Sequence, residues 1–286
     1  MTIDDADADE YEEALRVVLK RGLGSTIPEN IPTQHARALI GDFLIRASVK
    51  EIPSEGDVDF HDSMDYILLV ERERRGIVPW ESLPPCKSDP RLAVWQGDIT
   101  RLGVGAVVNA ANDAGLGCFQ PSHKCIDNVI HRAAGPRLRL ACARELERKS
   151  SRWGGKLPTG QVIATEAFNL PAEWVMHTPG PIGEQPELLA SCYRNVLNAC
   201  RKRHIRTVAF CCISTGLYGY PNDAAAKVAI RTVKEWLDEV EKAEGVEEPE
   251  WEVVPAKDAG HPFDRIIFNV FLDKDAMIYK SLLDAG

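Results

Sequence analysis

At 286 residues, 44% hydrophobic and 27% charged, the chain has the composition of a soluble globular protein with room for more than one average domain. No apolar run approaches the ~20 residues that cross a bilayer, so a membrane-spanning protein is not expected. A net charge of −9 argues against general nucleic-acid binding through a basic surface, while a small anion held by backbone N–H groups remains compatible with it. The acidic opening, MTIDDADADEYEE, differs from the basic start of a secretory or transit peptide. A cytoplasmic protein is therefore expected, with the nucleus left open and the eight cysteines reduced.

In chain order, YEEALRVVLKRGL (11–23), TQHARALIGDFLIRASV (33–49) and FHDSMDYILLVERERRG (60–76) space their apolar residues at three and four, which predicts three helices. Asn30 and Thr33 precede the second, and Pro28, Pro32 and Pro53 punctuate the gaps. This predicts a small helical domain over residues 1–85. The proline-rich, aperiodic stretch 78–91 reads as a linker.

From residue 90 to 286 the pattern changes to short β-rich runs alternating with helices. The expected strands are LAVWQ, GAVVNAA, QVIATEA, EWVMHTP, TVAFCCIS and RIIFNVFL. The expected helices are 125–149, broken near Gly135 and Pro136, then 186–203, 221–243 and 274–284. That order predicts an α/β fold, a three-layer α/β/α domain with a mixed or mostly parallel sheet and a ligand crevice past the carboxyl ends of its strands. EVEKAEGVEEPEWE reads as a solvated acidic loop.

Polar residues gather where these strands end. VVNAAN sets Asn109 and Asn112 at the edge of the expected crevice, where two amides suit a polyhydroxyl ligand, with loop asparagines that satisfy the backbone groups of a turn as the competing reading. GCFQPSHKC then brings Cys118, His123 and Cys125 into nine residues. Two thiolates and an imidazole are donors that zinc favours, and three protein ligands would leave the fourth position open; a loop with incidental thiols is the competing reading. A zinc nucleobase deaminase is disfavoured, because His123-Lys124-Cys125 lacks the glutamate of H-x-E and no P-C-x-x-C follows. Cys142 is the alternative fourth ligand, although its place on an amphipathic helix better suits a buried thiol. Asp127 opens the next helix, as a cap or as a group that orients or deprotonates water, and His131 one turn on reads as a packed histidine. CCISTGLYGYP runs from strand to helix through Gly216 and Gly219, a setting for a diphosphate. It lacks the G-K-[ST] of a P-loop, Gly103-Val-Gly105 lacks the third glycine of a dinucleotide fingerprint, and Cys211 and Cys212 read as strand residues facing opposite sides.

WQGDIT, VVNAAN, IHRAAG, TG with VIAT, VMHTPGP and ISTGLYGYP, taken in order, resemble the macrodomain, an ADP-ribose-binding α/β/α module. Where macrodomain hydrolases carry a glycine run, this chain has GCFQPSHKCIDN, which resembles the zinc-dependent macrodomains; the helical N-terminus resembles that subfamily's extension. The resemblance implies that Asp98 accepts a hydrogen bond from the adenine amino group, with Ile99 contributing its backbone. Asn109 and Asn112 would face the distal ribose, and Ser214, Thr215, Gly216, Leu217 and Tyr218 would surround the diphosphate. Asn269 and Phe271 would border adenine or its ribose. Cys118, His123 and Cys125 match the Zn2+ ligands, and Asp127 stands where the catalytic aspartate does, with Asn112 beside it.

The implied activity is hydrolytic removal of mono-ADP-ribose from modified protein side chains, Asp or Glu above all. ADP-ribosylated protein would be the substrate and ADP-ribose the product ligand. The alternatives are a reader that binds ADP-ribose without cleaving it, and an interaction protein with a closed structural zinc.

Overall fold

The structure is a computed structural model, and it describes residues 5–24, 28, 31–244 and 263–284. Helix α1 (Asp5–Val18) runs into a π-helical turn, Leu19–Leu23, and is followed by α2 (Thr33–Arg46) and α3 (Val58–Arg75). Their apolar stripes close on one another in a core of their own that includes Leu15, Ile40, Phe43, Phe60, Met64 and Ile67. Phe60 is fully buried, with its ring edge-on to Phe43 at 6.0 Å, and a Cβ at Gly22 would stand 2.9 Å from its ring. Polar ties sit at the margin: Arg37 pairs with Glu71, and Tyr11 donates to the same carboxylate at 3.0 Å. Asp57 caps α3 by accepting from Phe60 N. α2 has Pro32 at its N-cap and no side-chain cap, so Thr33 is already helical; Asn30 lies outside the described residues.

The stretch 78–91 departs from the expected bare linker. Its first residues, β1 (Val78–Pro79), pair in parallel with β3 (Leu102–Gly103), and Leu83 joins the larger core. Arg265 fastens it there, with its guanidinium over the Trp80 ring and a hydrogen bond to Leu83 O at 3.0 Å.

The main sheet contains β2 (Leu92–Gln96), β4 (Ala106–Ala111), β5 (Ile163–Glu166), β6 (Trp174–Pro179), β7 (Thr207–Phe210) and β8 (Arg265–Val270), in the order β2-β8-β7-β4-β6-β5. All neighbours are parallel except the edge pair β5 and β6. Every residue of β7 is buried, as is nearly every one of β4, β6 and β8, which is the signature of a sheet covered on both faces. The covering helices are α4 (Ile126–Ala134), α5 (Pro136–Arg148), the short α6 (Ser150–Trp153), α7 (Pro186–Lys202), α8 (Asn222–Glu244) and α9 (Asp273–Asp284). α4 and α5 pack by β4 and β5, α7 packs on α8, and α8 packs on α9. Gly135, at φ +91°, makes the break between α4 and α5. The result is a three-layer α/β/α domain.

Two strands are shorter than the apolar runs suggest. The chain leaves the sheet after Phe210 and after Val270, so Cys211 and Cys212 are not strand residues, and Phe271 and Leu272 lie beyond the last strand. α8 reaches Glu244, so the start of the expected acidic loop is helical; residues 245–262 lie outside the described residues.

Replacing Phe60 with alanine removes the largest apolar plug of the helical core. We expect a loss of about 3–5 kcal/mol, seen as a lower urea midpoint; an unchanged midpoint would refute this role for Phe60.

Candidate active site at the carboxyl ends of the strands

Because β2, β8, β7, β4 and β6 are parallel, their carboxyl ends share one edge of the sheet, and the loops leaving them form one row. In sheet order that row begins with Asp98 after β2 and Phe271 after β8. It continues with Ser214–Tyr218 after β7, Asn112 after β4 and Gly180 after β6.

At the β4 end lies a buried carboxylate. Asp127, in the first turn of α4, is 3% exposed, and burial raises its pKa to about 6. Asn109 Nδ2 donates to its Oδ1 at 2.7 Å and also meets His177 Nδ1 at 3.1 Å. One amide NH2 thus serves both neighbours, so His177 accepts at Nδ1 and carries its proton on Nε2, which lies 3.0 Å from Thr165 Oγ1. Asn109 is fully buried in β4, so its side chain holds Asp127 and is not the crevice-edge amide expected from the sequence. Asn112, half-buried, does sit at the edge: its Nδ2 donates to Gly117 O at 3.0 Å and lies 3.4 Å from Asp127 Oδ2.

The loop between Asn112 and α4 carries the thiols. Cys118 Sγ is 3.5 Å from His123 Nδ1, and the Cys118 thiol lies close enough to Cys125 to raise its pKa. Burial first, and Cys118 next to it, raise the Cys125 thiol to about 11. Asn128 of α4 gathers the loop by donating to Gln120 O at 2.8 Å and His123 O at 2.9 Å. Cys118 is thus in contact with His123 and in the neighbourhood of Cys125. Among the described residues, however, the set whose three donor atoms all lie within 4.8 Å of one another is a different one: His131, Cys142 and His177, all buried. Cys142 Sγ lies 3.5 Å from His177 Nε2, so Cys142 belongs with this inner group. His131 packs its ring against Gly117, at φ +91°, where a Cβ would stand 3.1 Å from the ring; its Nε2 is 3.4 Å from Asp127 Oδ1.

The β7 loop is compact and strained. Ser214 is a buried non-glycine residue at φ +67°, its Oγ lacks a hydrogen-bond partner, and a Cβ at Gly180 would collide with it. Gly216 and Leu217 are exposed while Thr215 and Tyr218 are half-buried, and Gly183 N donates to Tyr218 O at 2.7 Å, tying this loop to the one after β6.

At the far end, Asp98 accepts at Oδ1 from Thr100 N and Oγ1, at 3.0 and 2.7 Å, and its Oδ2 lies 3.8 Å from Arg75 Nη1. The Ile99 side chain is core, which leaves its backbone alone to face a ligand. Asn269 is buried and donates to Gly97 O at 3.0 Å, so its side chain ties β8 to the end of β2 and does not border an open pocket. Phe271, in contrast, is 73% exposed.

The fold and this row of loops are those of a macrodomain. A Macro domain family model matches residues 108–229. A Staphylococcus aureus protein named protein-ADP-ribose hydrolase is 40% identical over 220 residues, spanning 74% of this chain and 73% of that one. The chain belongs to the macrodomain family. Among solved structures it is similar to a Trypanosoma brucei macrodomain in complex with ADP-ribose, with TM-score 0.60 and 28% identity over 86% of this chain and 95% of that one. It is also similar to an Oceanobacillus iheyensis macrodomain with ADP, with TM-score 0.54 and 36% identity over 68% of this chain and 90% of that one.

Reasoning from sequence missed His177, Asn128 and Arg139. The only signal for the first was a histidine in an otherwise apolar strand. Burial lowers the His177 pKa to about 3. The unfolded chain protonates this residue near the ordinary 6.5, so as pH falls below that value the histidine works increasingly against folding. Asp127 has the opposite sign, because its raised pKa favours the folded, protonated form as pH falls through about 6. At pH 5 the histidine alone opposes folding by about 2 kcal/mol. Measured by urea denaturation at pH 7.5 and 5, His177→Gln should shift the pH dependence toward greater relative stability at pH 5 by about that amount. Parallel profiles for the two proteins would sink this assignment.

Proposed function

We propose that this macrodomain hydrolyses the bond between the distal ribose of ADP-ribose and an acceptor side chain of a modified protein, Asp or Glu above all. The observation that carries the reading is the buried, doubly amide-bonded Asp127 at the β4 end of a row whose other loops suit the rest of the ligand. The names of the Staphylococcus aureus relative and of the Trypanosoma brucei complex support the same ligand and reaction.

In this reading adenine lies toward Asp98 and Phe271, the diphosphate at the N–H groups of the 214–218 loop, and the distal ribose beside Asn112. A pKa near neutrality fits Asp127 to accept a proton from water. The water oxygen bonds to the anomeric carbon, the bond to the acceptor carboxyl breaks, and the proton held by Asp127 is returned to solvent or to the leaving group. Asn109 keeps the carboxylate in place, and Asn112, which spans Asp127 and the Gly117 carbonyl, fixes the sugar against it. Diphosphate contacts remote from the reacting carbon supply the binding energy that holds it there.

Cys118, His123 and Cys125 would hold a zinc ion. The fit rests on the donor chemistry, on the contact of Cys118 with His123 and on the proximity of Cys118 to Cys125. When bound, zinc would supply Lewis-acid charge next to the ribose. The buried set of His131, Cys142 and His177 is the competing location, and His177 there already has hydrogen-bond partners at both ring nitrogens.

The test pairs metal analysis with a time course of ADP-ribose release from a glutamate- or aspartate-modified protein. We expect about one zinc per chain and release that a chelator abolishes without unfolding the protein. Cys125→Ala should lose the metal and the activity, while Cys142→Ala keeps both; the reverse pattern assigns the metal to the buried set. Asp127→Ala should cut turnover by ~10²-fold or more with ADP-ribose affinity nearly intact. Tight binding by the parent protein with no release would make it a reader.

A further inference from the structure

The extension meets the macrodomain along α4 and α5, the helix that carries Asp127 and the one behind it. Gly41 of α2 faces Arg132 so closely that a Cβ would lie 2.8 Å from its Nη2. Leu68 of α3 covers the α4–α5 break, with a Cβ at Gly135 falling 2.8 Å from Cδ1. Asp65 of α3 takes Arg137 on one oxygen and Asn169 Nδ2 on the other, the latter at 2.7 Å.

Deepest in this interface is Arg139 of α5, which is 2% exposed. Its Nη1 donates to Ala47 O, and its Nη2 donates to Leu44 O at 3.0 Å and Ile45 O at 3.2 Å. These are carbonyls at the carboxyl end of α2, which lack partners within the helix and carry the negative end of its dipole. On its other side the same guanidinium donates from Nε to Leu116 O at 2.8 Å and lies over the Phe119 ring at 4.6 Å. One planar, buried cation thus joins the last turn of α2 to the loop that leads into Cys118. A cation in this position needs all its acceptors, because each one lost leaves charge buried without compensation.

We propose that Arg139 is a positioning residue through which the N-terminal helices hold the 116–125 loop in its working shape. The extension is then a clamp on the active site, not a module that merely precedes it. Its consequence for turnover rests on the hydrolase reading; its consequence for the loop does not.

Hydrogen exchange on the full chain tests this. In Arg139→Met, amides of residues 116–125 should exchange on the order of tenfold faster, the change expected when a charged hydrogen bond is lost. ADP-ribose affinity should change little, and turnover should fall in kcat with KM nearly unmoved. Asp65→Ala, which removes the extension's ties to Arg137 and Asn169 without touching Arg139, should speed the same amides in the parent protein and add nothing in the Arg139→Met background. Should Arg139→Met fail to fold, Arg139→Lys serves instead. Its single ammonium can meet the α2 carbonyls or Leu116 O but not both sets, so a folded protein with a fast loop is expected. Loop amides that stay slow in the folded Arg139 variant, or an equal effect of Asp65→Ala in both backgrounds, would overturn the clamp. An absence of release in the parent protein would overturn the hydrolase reading alone and leave the exchange result standing.

Discussion

A carboxylate with almost no contact with water keeps a usable charge only if hydrogen bonds replace hydration, and at Asp127 that replacement comes from the side-chain amides of Asn109 and Asn112. Burial draws the pKa upward while the Asn109 bond pulls it back, and the balance near 6 leaves a group that holds or releases a proton close to neutrality. Asn109 can do this because His177 accepts from the same Nδ2 and so fixes the amide, and His177 in turn is fixed by Thr165 on the neighbouring strand β5. The orientation of the carboxyl is therefore set by side chains on three adjacent strands of the sheet, β4, β6 and β5.

The sheet performs a second task through its strand order. On the proposed reading, a ligand with a base at one end, phosphates in the middle and a sugar at the other calls for three different chemistries in sequence along one edge. The order β2-β8-β7-β4 delivers an acid beside an aromatic, then a turn rich in backbone N–H groups, then amides and a carboxylate. Ser214, buried in a left-handed conformation, shows how tightly the central turn is held. Strain of that kind persists only where the surrounding packing over-determines it.

Much of this was legible in the sequence. Helical spacing marked α1 to α3, and Gly135-Pro136 marked the break after α4, because both signals are local. Asn112, Asp127 and the thiol loop stood out for a similar reason: polar or metal-binding residues clustered where apolar runs end. What stayed hidden depends on contacts between distant segments. Asn109 and Asn269 look like crevice residues because each lies within a few residues of a strand end, yet their side chains turn into the protein to meet Asp127 and the β2 backbone. Strand lengths were overread at Cys211 and Phe271 because apolar residues continue past the last paired residue. Arg139 gave no sign at all, since an arginine on an amphipathic helix normally points to solvent, and only the docking of α2 brings it acceptors.

That last case bears on why a macrodomain should carry extra helices. The strand ends need no help, because a sheet packed on both faces already fixes them. The loop from Asp113 to Cys125 is different: it contains Gly115, Gly117 and Pro121 and no regular secondary structure. Its polar side-chain ties to the rest of the domain include Asn112, Asn128, Lys156 and Arg139, beside a backbone bond from Leu157 N to Asp113 O at 2.8 Å and the packing of Leu116 on the main core. The exposed Lys156 ion pair to Asp113 contributes little rigidity, and the start of the loop is held by the Leu157 N–H on Asp113 O. Asn112 and Asn128 anchor the two ends near Asp127. Arg139 alone ties the approach to Cys118 to a separate hydrophobic core, and that core is closed by Phe43, Phe60 and Met64. Stability invested in the N-terminal helices is thereby transmitted, through a guanidinium and three carbonyls, to the loop at Leu116, adding to the ties that the macrodomain itself supplies.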